Sequence, residues 1–287
     1  MPLAWYYNRR MEARLRTLLG FALAALLAAV APLPAAAGGV LRVASDVSYA
    51  PLEFYKPNTK TIVGFDYDLA EALGKRMGRP VEFRNHDFAS LIPALRAGKF
   101  DLVLSSMGDT RERERDVDFV DYFLSGSGIL TRAGNPAHLW DLASLCGHSV
   151  DVEKGTSQEA AIRRQQASCT AVGLGAIAIE AAATDEVALK TFLAGKSQAH
   201  ISDYPVVSYL ARTLAGGRGY AVIGRQFGIV PYGIAVAKQN VALRDQVQHA
   251  LEDLIRDGTY DALLKRWGLE QGALRSAPVN AGTKFQH

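Results

Sequence analysis

Cysteine is scarce in this chain. Its 287 residues hold only Cys146 and Cys169, which lie outside any C-x-x-C or zinc-like spacing and so offer neither a dithiol redox motif nor a thiolate metal site. The six histidines show no H-E-x-x-H and no close pairing, leaving metal chemistry without support. His200 alternates within a strand-like stretch and reads as a satisfied residue of that strand, not as a base. No G-x-S-x-G is present, because Ser127 sits in SGSG without that spacing. AGKS (194–197) has Lys190 where a phosphate-binding loop needs its first glycine, and it precedes a strand. GLGAIA (173–178) also precedes a strand, so it is no dinucleotide turn. No cofactor and no metal is expected.

Charge of one sign is also missing once the start of the chain is set aside. Arg9, Arg10, Arg14 and Arg16 precede the only long apolar run, LLGFALAALLAAVAPLP, and PAAAG follows. That is the pattern of a cleaved export signal over residues 1–37, ending near Ala37, and the run is short for a membrane span. Arg9-Arg10 hints at twin-arginine export, and Met11 is an alternative start. The leader takes four basic residues and Glu12, so the totals of 32 Lys+Arg and 29 Asp+Glu become 28 of each. A neutral mature chain removes the charge argument for nucleic acid or a membrane surface. The expectation is a periplasmic monomer without a lipid anchor. In that compartment Cys146 and Cys169 are expected to pair, closing a loop that contributes about 3 kcal/mol on the entropy model; two buried thiols are the alternative.

What is present, at 49% hydrophobic and 21% charged, suits a globular α/β protein. VLRVAS (40–45), VEFRN and DLVLSS read as strands. DYDLAEALGKRMG, with Leu69, Leu73 and Met77 on one face and a stop at Gly78, and FASLIPALRAG, ending at Gly98, read as helices. The rhythm repeats in SVDVEKGTSQEAAIRRQ, AIAIEAA, TDEVALKTFLAG and KSQAHISD, and AGKFDLVLSS lies over AGKSQAHISD at a separation of 97. Two βαβ units, each with a mostly parallel sheet, follow. Gly- and Ser-rich 123–136 and 218–230 are the expected crossings between them. A long helix, a break at Gly258 and a shorter helix end the fold, and 270–287 reads as a frayed tail. The lobes are 38–127 with 228–269, and 128–227.

Ligands in such sheets sit at the carboxyl ends of strands. Those ends carry Asp46, Ser105, Ser106, the run Glu153 to Ser157, and Asp203. At Gly155-Thr156-Ser157 a strand meets a helix, and its unpaired N–H groups suit a carboxylate or phosphate. Thr156 or Ser157 capping the helix is compatible with that role. In RERERD, read as a helix, Arg111 and Arg115 share a face while Arg113 points the other way.

SDVSYAPLEF, VGFDYDLAEALGKRMG, FASLIPALRAGKFDLVLSSMGDTRERERDVDFVDYF, VEKGTSQEAA and DGTYDALLKRWG closely resemble the polar amino acid-binding proteins of ABC transporters, from about Val40 to Leu269. The resemblance implies a type II periplasmic binding fold: two lobes that clamp an amino acid, joined by two hinge crossings, with a membrane permease as partner. It implies that Arg113 grips the ligand α-carboxylate with Thr156 and Ser157, that Asp203 meets the α-ammonium, and that Ser105 and Ser106 are first-lobe contacts near the ligand. Tyr49 and Phe88 would sandwich the side chain and Asp46 would read its far end. Gly108 departs from the Ser or Thr of many members, which removes a hydroxyl. Asp46 with Glu153 suits a cationic guest such as Arg, Lys, ornithine or His; a neutral polar guest is the alternative. A lyase of this fold acting on cyclohexadienyl substrates, with Glu153 as general acid, is the rival function.

Overall fold

The computed structural model describes residues 39–284, so the expected leader lies outside the described residues. The strands are β1 Leu41–Ser45, β2 Ser48–Tyr49, β3 Glu53–Tyr55, β4 Ile62–Val63, β5 Val81–Asn85, β6 Leu102–Val103, β7 Val117–Arg132, β8 Ser149–Glu153, β9 Ala178–Ala182, β10 Ala199–Asp203 and β11 Tyr220–Ala237. The α-helices are α1 Phe65–Met77, α2 Leu91–Arg96, α3 Ser157–Ala171, α4 Asp185–Leu193, α5 Tyr204–Thr213, α6 Val241–Arg256 and α7 Thr259–Trp267. Among these residues no helix is long and apolar enough to cross a membrane.

Periodicity explains most helices. α1 buries Phe65, Leu69 and Leu73, and ends where Gly78 takes the left-handed conformation at φ 66°, which costs glycine little. α6 buries Leu243, Val247, Ala250, Leu251 and Leu254, one stripe at helical spacing. α5 had no counterpart in the sequence reading. Its Val206, Val207 and Leu210 are buried behind Pro205 in the first turn, a short β-branched run with little helical signature.

One sheet of eight strands runs β5-β1-β6-β11-β7-β10-β8-β9. β1 is parallel to β5 and β6, and β8 is parallel to β9 and β10. These two parallel sets are the two lobes, each with the strand order of a βαβ unit. Between them β7 and β11 pair antiparallel along most of their length. A small antiparallel sheet, β2-β3-β4, lies beside the first lobe.

The two crossings are made by strands: β7 continues through Ser125 and Ser127, and β11 pairs with it through slips between Ile223, Phe227 and Val230. Gly224 and Gly228, at φ 67° and 59°, absorb those slips, so glycine here marks bulges in a ladder. Two expectations are corrected. RERERD is not a helix. A turn leads into a single 3-10 turn at Arg113–Arg115, although Arg111 and Arg115 are exposed and Arg113 is half-buried, as the helical geometry implied. Finally, the segment after Leu269 is packed, not frayed. Ala273 and Val279 bridge to Phe123 and Val120, Ala277 and Ala281 are buried, and the N–H groups of Ala281, Gly282 and Thr283 donate to Asp121, Asp109 and Glu114. Small residues let this strap lie close against β7. Cys146 and Cys169 form a disulfide that ties the loop before β8 to α3.

Candidate functional site

All ten candidate residues, Asp46, Tyr49, Phe88, Ser105, Ser106, Arg113, Glu153, Thr156, Ser157 and Asp203, line one cleft at the strand ends, together with Glu53, Gly108, Gln158 and Tyr232. β1, β3, β6 and the 88–90 turn supply one wall, while β8, β10 and the start of α3 supply the other.

Arg113 reaches across. Its Nη1 donates to the Gly108 carbonyl at 2.9 Å and its Nη2 to the Gly155 carbonyl at 3.3 Å, and the guanidinium carbon lies 5.2 Å from the centre of the Phe88 ring, a cation–π arrangement. Burial lowers the basicity of this arginine and the negative charge of Asp203 opposes that. A Cβ on Gly108 would meet Val230 Cγ2 at 3.1 Å, so Val230 occupies part of the space that a Ser or Thr side chain would need.

Thr156 is the N-cap of α3: its Oγ1 accepts from Glu159 N at 3.1 Å and donates to the Glu153 carbonyl at 2.7 Å. That commits its hydroxyl to the backbone, leaving the helix-start N–H groups as the anion-binding feature. Gly155, at φ 82°, faces Ala89, and a Cβ there would lie 3.1 Å from the alanine's Cβ, a close approach of the two walls that favours glycine twice over.

On the acidic side, Asp203 accepts from Gln158 Nε2. Burial pushes its carboxyl up to about 7 against the lowering effect of tyrosine hydroxyls and Arg113. Tyr49 is more than a ring against the ligand space: its hydroxyl accepts from Ser202 Oγ at 3.0 Å and from Asp203 N at 3.1 Å, which ties one wall to the other. Asp46 accepts from Phe88 N at 3.0 Å and donates its own N–H to Ser105 Oγ at 2.9 Å. Glu153, only 4% exposed, is turned into the cleft and not to solvent. Burial first, then Asp46 and Asp185, push it up to about 10.

Glu53, Gln158 and Tyr232 escaped the sequence reading. Glu53 accepts from Ser105 Oγ at 3.1 Å and Ser106 Oγ at 3.3 Å, and burial with Asp66 beside it raises its carboxyl well above the usual range. Ser106 is held at φ 44°, an uncommon conformation for a non-glycine residue that its hydrogen bonds to Glu53 and Asp66 maintain. For Gln158 the cap at Thr156 marks only where α3 begins; its burial depends on how closely that start abuts β10. Glu53, in PLEF, carried no signal beyond an acid among apolar neighbours.

Comparison with known proteins shows the family. The model of the bacterial extracellular solute-binding proteins, family 3, matches residues 41–270. The ABC transporter arginine-binding protein 1 of Escherichia coli K12 is 31% identical over 247 residues, 85% of this chain and 97% of that protein. The lysine/arginine/ornithine-binding periplasmic protein of the same organism is 28% identical over 258 residues, 88% of this chain and 96% of that one. Among solved structures, an ancestral arginine-binding protein bound to arginine superposes with a TM-score of 0.72 at 33% identity, covering 80% of this chain and 99% of its own. The chain belongs to the bacterial extracellular solute-binding proteins, family 3.

Proposed function

We propose that the protein captures an L-amino acid with a cationic side chain in this cleft and delivers it, from the periplasm, to an ABC transporter permease. Residues 1–37 would be the export signal, residues 38–127 with 228–269 one lobe and 128–227 the other, and the mature protein would act as a monomer. The observation that carries the reading is that one cleft is lined by a single arginine, by Asp203, and by three further carboxyls at Asp46, Glu53 and Glu153. A zwitterion needs the first two and a cationic side chain needs the last.

In this reading the ligand α-carboxylate takes the fork of Arg113 and the N–H groups at the start of α3, with Thr156 and Ser157. A planar guanidinium can hold both oxygens at once. The α-ammonium meets Asp203, with Ser105 and Ser106 nearby, and the side chain passes between Tyr49 and Phe88 toward Asp46 and Glu153. Arg113 and Tyr49 each contact the opposite wall, so the ligand would complete a closed form that an empty, mutually repelling set of charges favours less.

The test is a thermal-shift panel of the twenty amino acids and ornithine, because a ligand that binds only the folded state raises the melting point with its concentration. Arginine, lysine, ornithine or histidine should give the largest shift. Glutamine or glutamate binding much more tightly than arginine by calorimetry would overturn the cationic reading.

A further inference from the structure

Asp46 and Glu153 come from opposite walls and line the same cleft. Glu153 is 4% exposed and its buried Oε1 has no hydrogen-bond partner, and a carboxylate buried with an unsatisfied oxygen among other acids is costly, so in the empty cleft it keeps its proton. Asp46 is the easier of the two to ionise, since it receives the Phe88 N–H at 3.0 Å. Burial raises both carboxyls, and the charge of Asp46 raises Glu153 further. The groups facing the pair are mostly acids: Asp87 from the 88–90 turn, Glu53 from β3, Asp185 from α4 and Asp203 from β10, with Ser48 and Tyr49 from β2. Among the described residues Arg113 is the only basic side chain lining the cleft. His200 sits behind it, bonded to Asp151 at 2.5 Å and 3.5 Å from Asp185.

We propose that a proton held on Glu153, across the cleft from Asp46, stands in for the ligand's side-chain cation, so that capture of a cationic guest expels it while a neutral guest leaves it in place. The inference rests on the binding reading above and adds to it a proton released per cation captured. The step balances: Glu153–OH gives its proton to solvent, and the guest's positive charge takes over the pairing with both carboxylates. A binding event that releases a proton strengthens as pH rises. Selectivity for a cationic over an isosteric neutral guest therefore grows with pH.

L-Arginine and L-citrulline make the comparison, because they share α-groups and nearly share shape but differ in side-chain charge. At pH 8, above the value of about 7 for Asp203 and below that of about 10 for Glu153, titration calorimetry in phosphate and in Tris counts protons from the dependence of heat on buffer. The expected result is about one more proton released with arginine than with citrulline, and no difference in Glu153→Gln. Across pH 6 to 9 the wild-type ratio of the two dissociation constants should change by roughly tenfold per unit in favour of arginine. If citrulline binds too weakly to measure, the count for arginine in wild type against Glu153→Gln decides; if that variant does not fold, the pH dependence of the wild-type protein decides. Arginine binding with no proton released and a ratio flat in pH would overturn the inference while leaving the binding reading intact. Absence of arginine binding in any buffer would sink both.

Discussion

Replacing Arg113 by alanine is the perturbation with the most direct magnitude. Its guanidinium is half-buried, bonded to two carbonyls across the cleft and set over Phe88, so it is desolvated and oriented before any ligand arrives. Removing one partner of such a pair costs about 3–5 kcal/mol, because the other charge is left buried and uncompensated. That corresponds to a rise in Kd of roughly 100- to 5,000-fold. Arg113→Lys keeps the charge but not the fork, and a loss of about 1.5–3 kcal/mol, the value of one charged hydrogen bond, is expected. Titration calorimetry with L-arginine reads both, and circular dichroism checks that the fold survives, since Arg113 bonds backbone carbonyls and is no part of the apolar core. An Arg113→Ala protein that stays folded and binds within tenfold of wild type would refute the assignment of the carboxylate to this residue.

Opening the Cys146–Cys169 bridge, by Cys146→Ser with Cys169→Ser, should lower unfolding free energy by about 3 kcal/mol in urea titration while leaving ligand affinity within a few-fold, since the bridge lies outside the cleft lining. His200→Ala strands Asp151 and Asp185 without their shared partner, and a loss of about 3–5 kcal/mol is expected by the same assay. Against burial, which lowers it, Asp185 and Asp151 raise the folded value of His200 to about 10 from the usual 6.5; its contribution is therefore full below pH 6.5 and fades as pH climbs through about 10, which a series of urea midpoints would show. Burial, with Asp121 beside it, lifts Asp109 to about 8. A carboxyl raised on folding stabilises least at high pH, so Asp109→Asn should raise the melting temperature at pH 9 and not at pH 4.

Parallel order, helix stops and the convergence of strand-end residues were legible because they rest on periodicity and on chain geometry common to all α/β sheets. Asp46, Glu153 and Asp203 end strands whose alternation is plain, so their meeting in one cleft followed from topology. Gln158 was not legible, since its burial depends on how closely the start of α3 abuts β10. Neither was the hydroxyl of Tyr49, whose partners Ser202 and Asp203 are remote in sequence. The terminal strap was misread because Ala, Gly, Pro and Asn suggest a loose tail. They are also the residues that fit a narrow groove over β7, where Asp109 and Asp121 await backbone donors. In RERERD the outward and inward arginines came out as expected, but through a turn and not a helix.

The most direct measurement is a crystal structure with L-arginine bound. The expected density puts the α-carboxylate against Arg113, the α-ammonium against Asp203 and the guanidinium between Asp46 and Glu153. Arginine bound in the reverse orientation, or anywhere outside this cleft, would contradict the proposed role of every one of those residues.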